Sequence, residues 1–391
     1  MVRNLFRRFS EKPQPRPVKQ TAYIQGASTS SGQTLNTSQT NGQKEGSRTP
    51  VTPKAFIRKD DENESEDKFA PRKVDASANS LRVLSDFVNR TAEKGVDGLK
   101  KEYSKLDKYF DTTATFDAFR MNMPKNRYSD VLCPDETRVK LWYGAPEFTE
   151  YIHGNRINDA VLPTNYFICT QGPTNDTVHD FWRMIFQERI RNIIMLCNPV
   201  EDGKIKCATY WPDQETGISE LPTLIVKNQG TDEDEFTITR LSVEPNPNYV
   251  GNQQLNEAQS APLEVTLLRW IGWPDRGIPS KQCQTILPLI LLDKVRGLPT
   301  VIHCSAGIGR TGCLMALEVA HERISRGKKV DFDQIVRDIR CYRAQIIQTE
   351  IQYLYINRVI IEYAYMHANL DDSAYEAGKK FIDEYERKLR K

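Results

Sequence analysis

Pro299-Thr300-Val301-Ile302-His303-Cys304-Ser305-Ala306-Gly307-Ile308-Gly309-Arg310-Thr311-Gly312 runs a short apolar strand into a loop broken by two glycines. A helical pattern of Leu314, Leu317, Ala320 and Ile324 starts after Arg310 and ends by Gly327. Strand, glycine-rich loop and helix N-terminus in that order form an anion cradle. Successive backbone N–H groups point inward, and the helix dipole adds about half a positive charge. Cys304 stands at the mouth of this loop, where the same N–H groups stabilise a thiolate, so its pKa is expected below the free value. Arg310, six residues later, can grip two oxygens of a tetrahedral anion through its planar fork. Nucleophile and clamp then converge on one phosphorus atom, a layout for phosphoryl transfer to sulfur. The Cys-x5-Arg spacing alone arises by chance at this composition. The information lies in His303 before the cysteine, in Gly307 and Gly309, and in Thr311-Gly312 opening the helix.

Outward from this segment, short β-rich runs alternate with helical patterns. Tyr166 to Cys169, Asn192 to Leu196, Phe236 to Ser242 and Leu263 to Trp270 read as strands. Val178 to Arg189, Gln282 to Val295, Gly312 to Ser325, Phe332 to Cys341 and Thr349 to Met366 read as helices. That alternation predicts an α/β fold, a twisted mixed sheet flanked by helices. Ordered structure is expected from Ser80, with Leu81, Leu84, Phe87 and Val88 on one helix face. Leu99, Tyr103, Leu106 and Phe110 follow after Gly95.

The first 79 residues differ in kind. From Gly26 to Gly46 the chain is Ser, Thr, Gln, Asn and Gly with almost nothing to bury, and such a tract is expected to stay disordered. Up to Ser80 the net charge is +5 within a total of +2, which leaves the remaining 311 residues near −3. That balance argues against a dedicated nucleic-acid binder. The expected organisation is a basic and polar tail over 1–79, a catalytic domain over 80–368 and a charged C-terminal tail over 369–391, helical but solvated. No apolar run approaches the roughly twenty residues needed to span a bilayer, and the start of the chain carries no secretory signal. Eight cysteines with no C-x-x-C pair support neither a zinc site nor a disulfide framework. The expected location is therefore cytoplasmic, with nuclear access open.

His303 to Gly312 resembles the H-C-S-A-G-x-G-R-[ST]-G signature of the cysteine-dependent, tyrosine-specific protein tyrosine phosphatases, of the cytosolic, non-receptor type. The likeness covers about Ser80 to Met366. It implies hydrolysis of phosphotyrosine through a cysteinyl-phosphate intermediate, with Cys304 as nucleophile and Arg310 as phosphate clamp. Ser305, Ala306, Gly307, Ile308 and Gly309 would line the phosphate loop. It also implies no metal and no cofactor, phosphotyrosine-containing proteins as partners, and a monomer. Thr311 would support the leaving thiolate, and His303 would orient the loop rather than act as a base.

A departing phenolate needs a proton from a general acid. Two Trp-Pro-Asp triplets are present, and only Trp273-Pro274-Asp275-Arg276-Gly277-Ile278-Pro279 has the glycine and second proline of a hinged lid. It assigns Asp275 as the acid and leaves Asp213 as a surface turn residue. Glu201-Asp202-Gly203-Lys204-Ile205-Lys206-Cys207-Ala208-Thr209-Tyr210-Trp211-Pro212 resembles the family's hairpin, which implies that Glu201 pairs with Arg310 and Lys206 meets the acid loop. Lys125-Asn126-Arg127-Tyr128-Ser129-Asp130-Val131 resembles the substrate loop, with Tyr128 stacking on the substrate ring and Asp130 holding its backbone. Gln348-Thr349-Glu350-Ile351-Gln352-Tyr353 resembles the loop in which Gln348 positions water and Gln352 assists. Tyr151-Ile152-His153-Gly154-Asn155 departs from the family's Y-I-N-A-[NS], which touches the support of the substrate loop. Gln345 stands where a few relatives have glycine and a second pocket, so that pocket is expected to be narrowed.

Three other readings compete. A silent phosphotyrosine-binding relative would have lost Cys304, Asp275 or Arg310, and all are present. An adaptor working through Arg3, Arg7, Arg8 and Arg16, or through Pro13, Pro15 and Pro17, rests on weak signals. A dual-specificity phosphatase would have a shallower cleft, and the Tyr128 loop and the chain length argue against it.

Overall fold

The computed structural model describes residues 78–106, 109, 111–157, 162, 166–251, 255–279, 285–368 and 370–389. The chain divides into two units, Met1–Lys68 and Phe69–Lys391. The first, with every expectation for residues 1–77, lies outside the described residues, as do Phe110 and the start of the helix expected from Gln282.

The second unit is built on a nine-stranded mixed sheet. Its strands are β1 (Arg138–Lys140), β2 (Tyr151–Ile157), β3 (Phe167–Thr170), β4 (Asn192–Met195), β7 (Ile218–Glu220), β8 (Leu224–Glu233), β9 (Thr237–Pro245), β10 (Leu263–Arg269) and β11 (Thr300–His303). Between β4 and β7, β5 (Val200–Glu201) and β6 (Lys204–Ile205) form a separate hairpin. The order across the sheet is β1-β2-β3-β11-β4-β10-β9-β8-β7. Strand β11 runs parallel to both neighbours, pairing His303 with Thr170 on one side and with Met195 on the other. Every residue of β3, β4 and β11 is buried, as a parallel strand covered on both faces requires. Outward from this centre the pairings β2–β3, β9–β10 and β8–β9 are antiparallel.

Strands β1, β2, β7 and β8 were not foreseen from the sequence. Leu224, Val226 and Asn228 alternate inward along β8, yet Lys227, Gln229 and the acidic Asp232-Glu233 end dilute the apolar signal. His153, Gly154, Asn155 and Arg156 hide β2 in the same way, although six of its seven residues are buried. Tertiary packing, not propensity, decides both.

The helices are α1 (Ala78–Leu106), α2 (Asp117–Met121), α3 (Val178–Gln187), α4 (Glu257–Ser260), α5 (Leu287–Lys294), α6 (Arg310–Ser325), α7 (Phe332–Arg340), α8 (Glu350–His367) and α9 (Asp372–Leu389). Helix α1 kinks at Gly95, whose φ of 63° lies in the left-handed region. Its buried stripe, Val83, Leu84, Phe87, Val88, Val96, Leu99, Tyr103 and Leu106, joins the main core. The segment expected as a charged, solvated tail is helical, but it is not solvated all round. Ala374, Gly378, Phe381 and Tyr385 are buried and α9 packs on α1 and α8. Their spacing of four, three and four residues is one helix face, which the density of charge on the opposite face conceals.

Helix α1 also reaches the loop after α7. Tyr103 Oη donates to Ile347 O at 3.3 Å. Arg340 donates to Ile346 O at 3.0 Å and Ile347 O at 3.2 Å, and its Nη1 also bonds Leu106 O at the end of α1. One buried guanidinium thus ties the end of α1 to the loop that carries Gln348.

Candidate active site

The loop between β11 and α6 closes around Cys304. Gly307 has φ +70° and packs against β3 so closely that an added Cβ would meet Thr170 O at 2.0 Å. Only glycine fits there. That turn brings Gly307 N–H to Cys304 Sγ at 3.2 Å. The carbonyls are pulled the other way. Buried Arg343 donates from Nε to Gly307 O at 3.1 Å and from Nη2 to Ala306 O at 3.0 Å. With its carbonyls held outward, the loop presents N–H groups inward.

Cys304 is only 4% exposed. Burial pushes its pKa up, but Arg310's charge, the Thr311 hydroxyl and N–H, and the Gly307 N–H outweigh burial, and the thiol is held below its ordinary value. Thr311 Oγ1 makes no hydrogen bond of normal geometry. The hydroxyl lies close enough to help lower the Cys304 pKa and is a donor that an ionised sulfur would satisfy.

Arg310 opens α6 and is 1% exposed. Glu201 on the β5–β6 hairpin takes both arms of its fork, Nη1 at 2.6 Å and Nη2 at 2.9 Å, while Trp273 O accepts from Nη1 at 2.8 Å. Burial opposes the charge, yet the Glu201 bond and nearby thiols raise the guanidinium's pKa further. The fork is therefore fixed in direction before any anion arrives.

The loop after β10 hangs Asp275 over this clamp. Its carboxylate receives Lys206 Nζ at 2.6 Å and Arg310 Nη2 at 3.4 Å. Burial favours the neutral acid, but Lys206 and Arg310 hold the carboxyl below the usual range. Asp213 is exposed.

Tyr128 forms the opposite wall. Its ring packs on the cluster of Val131, Ala306 and Ile308. Its hydroxyl bonds Ser305 Oγ at 2.8 Å, and Ser305 in turn donates to Lys206 O at 2.9 Å. Asp130 is exposed, with its carbonyl accepting Gln345 Nε2 at 3.0 Å, and Leu132 N donates to Gln345 Oε1 at 2.9 Å. Gln348, just before the N-cap of α8, and Gln352, in its first turn, face the loop: a Cβ on Gly309 would lie 3.1 Å from Gln348 Oε1 and 3.0 Å from Gln352 Nε2. His303 lies buried behind the loop, bonding Tyr210 Oη at 2.8 Å and Cys304 O at 3.1 Å.

Three residues that received no individual role from the sequence complete the support. Arg343 is one. Arg127 fastens the substrate loop to Gln171, Gly172 and Pro173 beyond β3. His153 accepts Arg343 Nη1 at Nδ1 (3.1 Å) and donates from Nε2 to Val131 O (2.8 Å). Burial, then Arg343's charge, depress the His153 pKa to about 3, so the ring is neutral. For Arg343, a lone arginine among Cys341, Tyr342 and Ala344 gave no positional signal in the sequence.

A model of the protein-tyrosine phosphatase family matches residues 122–362. The chain belongs to the protein-tyrosine phosphatase family. It is 33% identical over 296 residues to receptor-type tyrosine-protein phosphatase F of Danio rerio, covering 73% of this chain and 14% of that protein. It is likewise 33% identical over 273 residues to receptor-type tyrosine-protein phosphatase U of Gallus gallus, covering 68% of this chain and 17% of that one. The chain thus spans a small part of the length of these curated relatives. A solved structure described as "Structural basis of PTPN18 fingerprint on distinct HER2 tyrosine phosphorylation sites" superposes with a TM-score of 0.62 at 26% identity, over 73% of this chain and 99% of that one. The fold is that of the family, a twisted mixed sheet flanked by helices. No helix among the described residues is long and apolar enough to cross a membrane.

Proposed function

We propose that this chain hydrolyses phosphotyrosine in proteins through a cysteinyl-phosphate intermediate. The observation that carries the reading is the convergence of a low-pKa Cys304 sulfur, a guanidinium fixed by Glu201 and the Asp275 carboxyl on one loop. In the first step Cys304 thiolate attacks phosphorus while Asp275 protonates the departing tyrosine oxygen. The N–H groups of Ser305 to Gly309 and the Arg310 fork take the charge on the equatorial oxygens, which needs no further counter-ion. Lys206 and Arg310 favour the Asp275 carboxylate when no dianion is present. A phosphate dianion on Arg310 offsets that positive field and raises the carboxyl toward the acid form the step requires.

In the second step Gln348, assisted by Gln352, holds a water against the phosphorus. Asp275, now a carboxylate, takes its proton, and Thr311 supports the departing thiolate. His303 fixes the loop backbone. Tyr128 sets the depth that a phosphoserine or phosphothreonine side chain does not reach, and Asp130 holds the peptide backbone. The reading extends to a monomer acting on cytoplasmic phosphotyrosine proteins.

Hydrolysis of sequence-matched phosphotyrosine and phosphothreonine peptides tests it. Turnover of the first alone is expected; turnover of neither, or of both equally, overturns the reading. Cys304→Ser should abolish turnover and retain phosphopeptide binding. Asp275→Ala should slow turnover by on the order of 10²-fold and Asp213→Ala hardly at all.

A further inference from the structure

The acid loop is held on both sides of Asp275, and the downstream hold uses a residue with no chemical part in the reaction. Upstream, Trp273 O accepts Arg310 Nη1 at 2.8 Å and Trp273 Nε1 donates to Gly277 O at 3.0 Å. Downstream, Arg276 has φ +54° without being glycine, a conformation that costs free energy and persists only where neighbours enforce it. Its side chain is exposed. Its carbonyl accepts the Thr349 hydroxyl at 3.1 Å.

Thr349 is also the N-cap of α8, accepting Gln352 N–H at 3.4 Å. A hydroxyl has one proton and two lone pairs. Here the proton goes to the lid and a lone pair to the helix, so the same oxygen binds the acid loop to the helix that presents Gln352. Gln352 Nε2 adds a longer bond to Gly277 O at 3.5 Å.

We propose that Thr349 is a latch for the closed acid loop: its hydroxyl holds the left-handed Arg276 carbonyl and thereby keeps Asp275 over the leaving oxygen. Thr349 is a positioning residue and acts only through Asp275. The proposal rests on the assignment of Asp275 as the acid. Loss of the latch lowers the closed fraction of the loop, and so slows steps that need the proton without weakening phosphate binding by Arg310.

The test uses Thr349→Val, which keeps the shape and removes both hydrogen bonds, and Thr349→Ser, which keeps both. The pre-steady-state rate of phenol release, which reports the first step alone, is measured on aryl phosphates whose leaving phenols span a range of acidity. Thr349→Val should slow that release about tenfold on phosphotyrosine peptide, the worth of one hydrogen bond. The loss should shrink for a nitrophenyl leaving group, with KM little changed, and Thr349→Ser should recover wild-type behaviour. A loss of equal size across the series, or none, overturns the latch.

A second readout needs no activity. The Arg276–Gly277 peptide bond is a tryptic site whose carbonyl Thr349 holds, so Thr349→Val should be nicked there about tenfold faster in native conditions. Unchanged nicking also overturns the proposal. Wild-type enzyme and Asp275→Asn run in the same series keep the two questions apart. If Asp275→Asn loses as much on the nitrophenyl ester as on phosphotyrosine, the acid assignment falls, whatever Thr349 does.

Discussion

At Cys304 two opposing effects meet, and their order decides reactivity. Burial alone drives a thiol upward, as it does for Cys133, pushed up to about 11, and Cys169, pushed up to about 12. Cys304 is equally enclosed and goes the other way because Arg310, Thr311 and the Gly307 N–H reach its sulfur. Alkylation by iodoacetamide should therefore follow a single fast thiol with an inflection below the ordinary thiol range, and Thr311→Ala should move that inflection up. An inflection that ignores Thr311 would remove it from thiolate support. His153 gives a second residue-scale prediction. Its folded pKa, about 3, lies below the ordinary 6.5, so the unfolded chain binds the extra proton first as pH falls. Its contribution is complete above pH 6.5 and is lost between there and pH 3, by at most about 1.4 kcal/mol per pH unit. Asparagine can accept from Arg343 and donate to Val131 O without titrating. His153→Asn should flatten that stretch of the curve of melting temperature against pH, and an unchanged curve would count against the assignment.

Among elements, α9 shows how charge conceals packing. Eighteen residues rich in Lys, Asp and Glu still bury Phe381 and Tyr385, and Arg358 lies over the Tyr385 ring at 5.0 Å. Phe381→Ala should cost about 3–5 kcal/mol, seen as a lower midpoint in urea. Lys380→Ala, whose side chain is exposed, should change little. Equal effects would mean that the helix does not depend on its buried face. The same lesson holds for β2 and β8, where isolated apolar positions become strands only because neighbours on both sides pair with them. By contrast β11, the loop and α6 were legible because three independent signals coincide there: an apolar strand, two glycines and a helix start. The acid-loop triplet was legible through Gly277 and Pro279, which its twin at Trp211 lacks.

Across the whole molecule, the sequence exposed the chemical groups and concealed what holds them. Cys304, Arg310 and Asp275 are readable because chemistry restricts residue types at fixed spacing. Arg343, Arg127 and Arg340 are not, since each works by bonding carbonyls contributed by distant segments, for Arg340 that of Leu106. Those carbonyls become neighbours only when the sheet order has brought them together. The grip of α1 on Ile347 has a kinetic consequence. Ile347 precedes Gln348, to which the proposed mechanism gives the water that dephosphorylates the sulfur, whereas Asp275 and Cys304 belong to other segments. Tyr103→Phe, which removes one strut from that grip, should lengthen the life of phosphorylated Cys304 and leave its formation untouched. Rapid mixing would then reveal a larger initial burst of released phenol ahead of a slower steady phase.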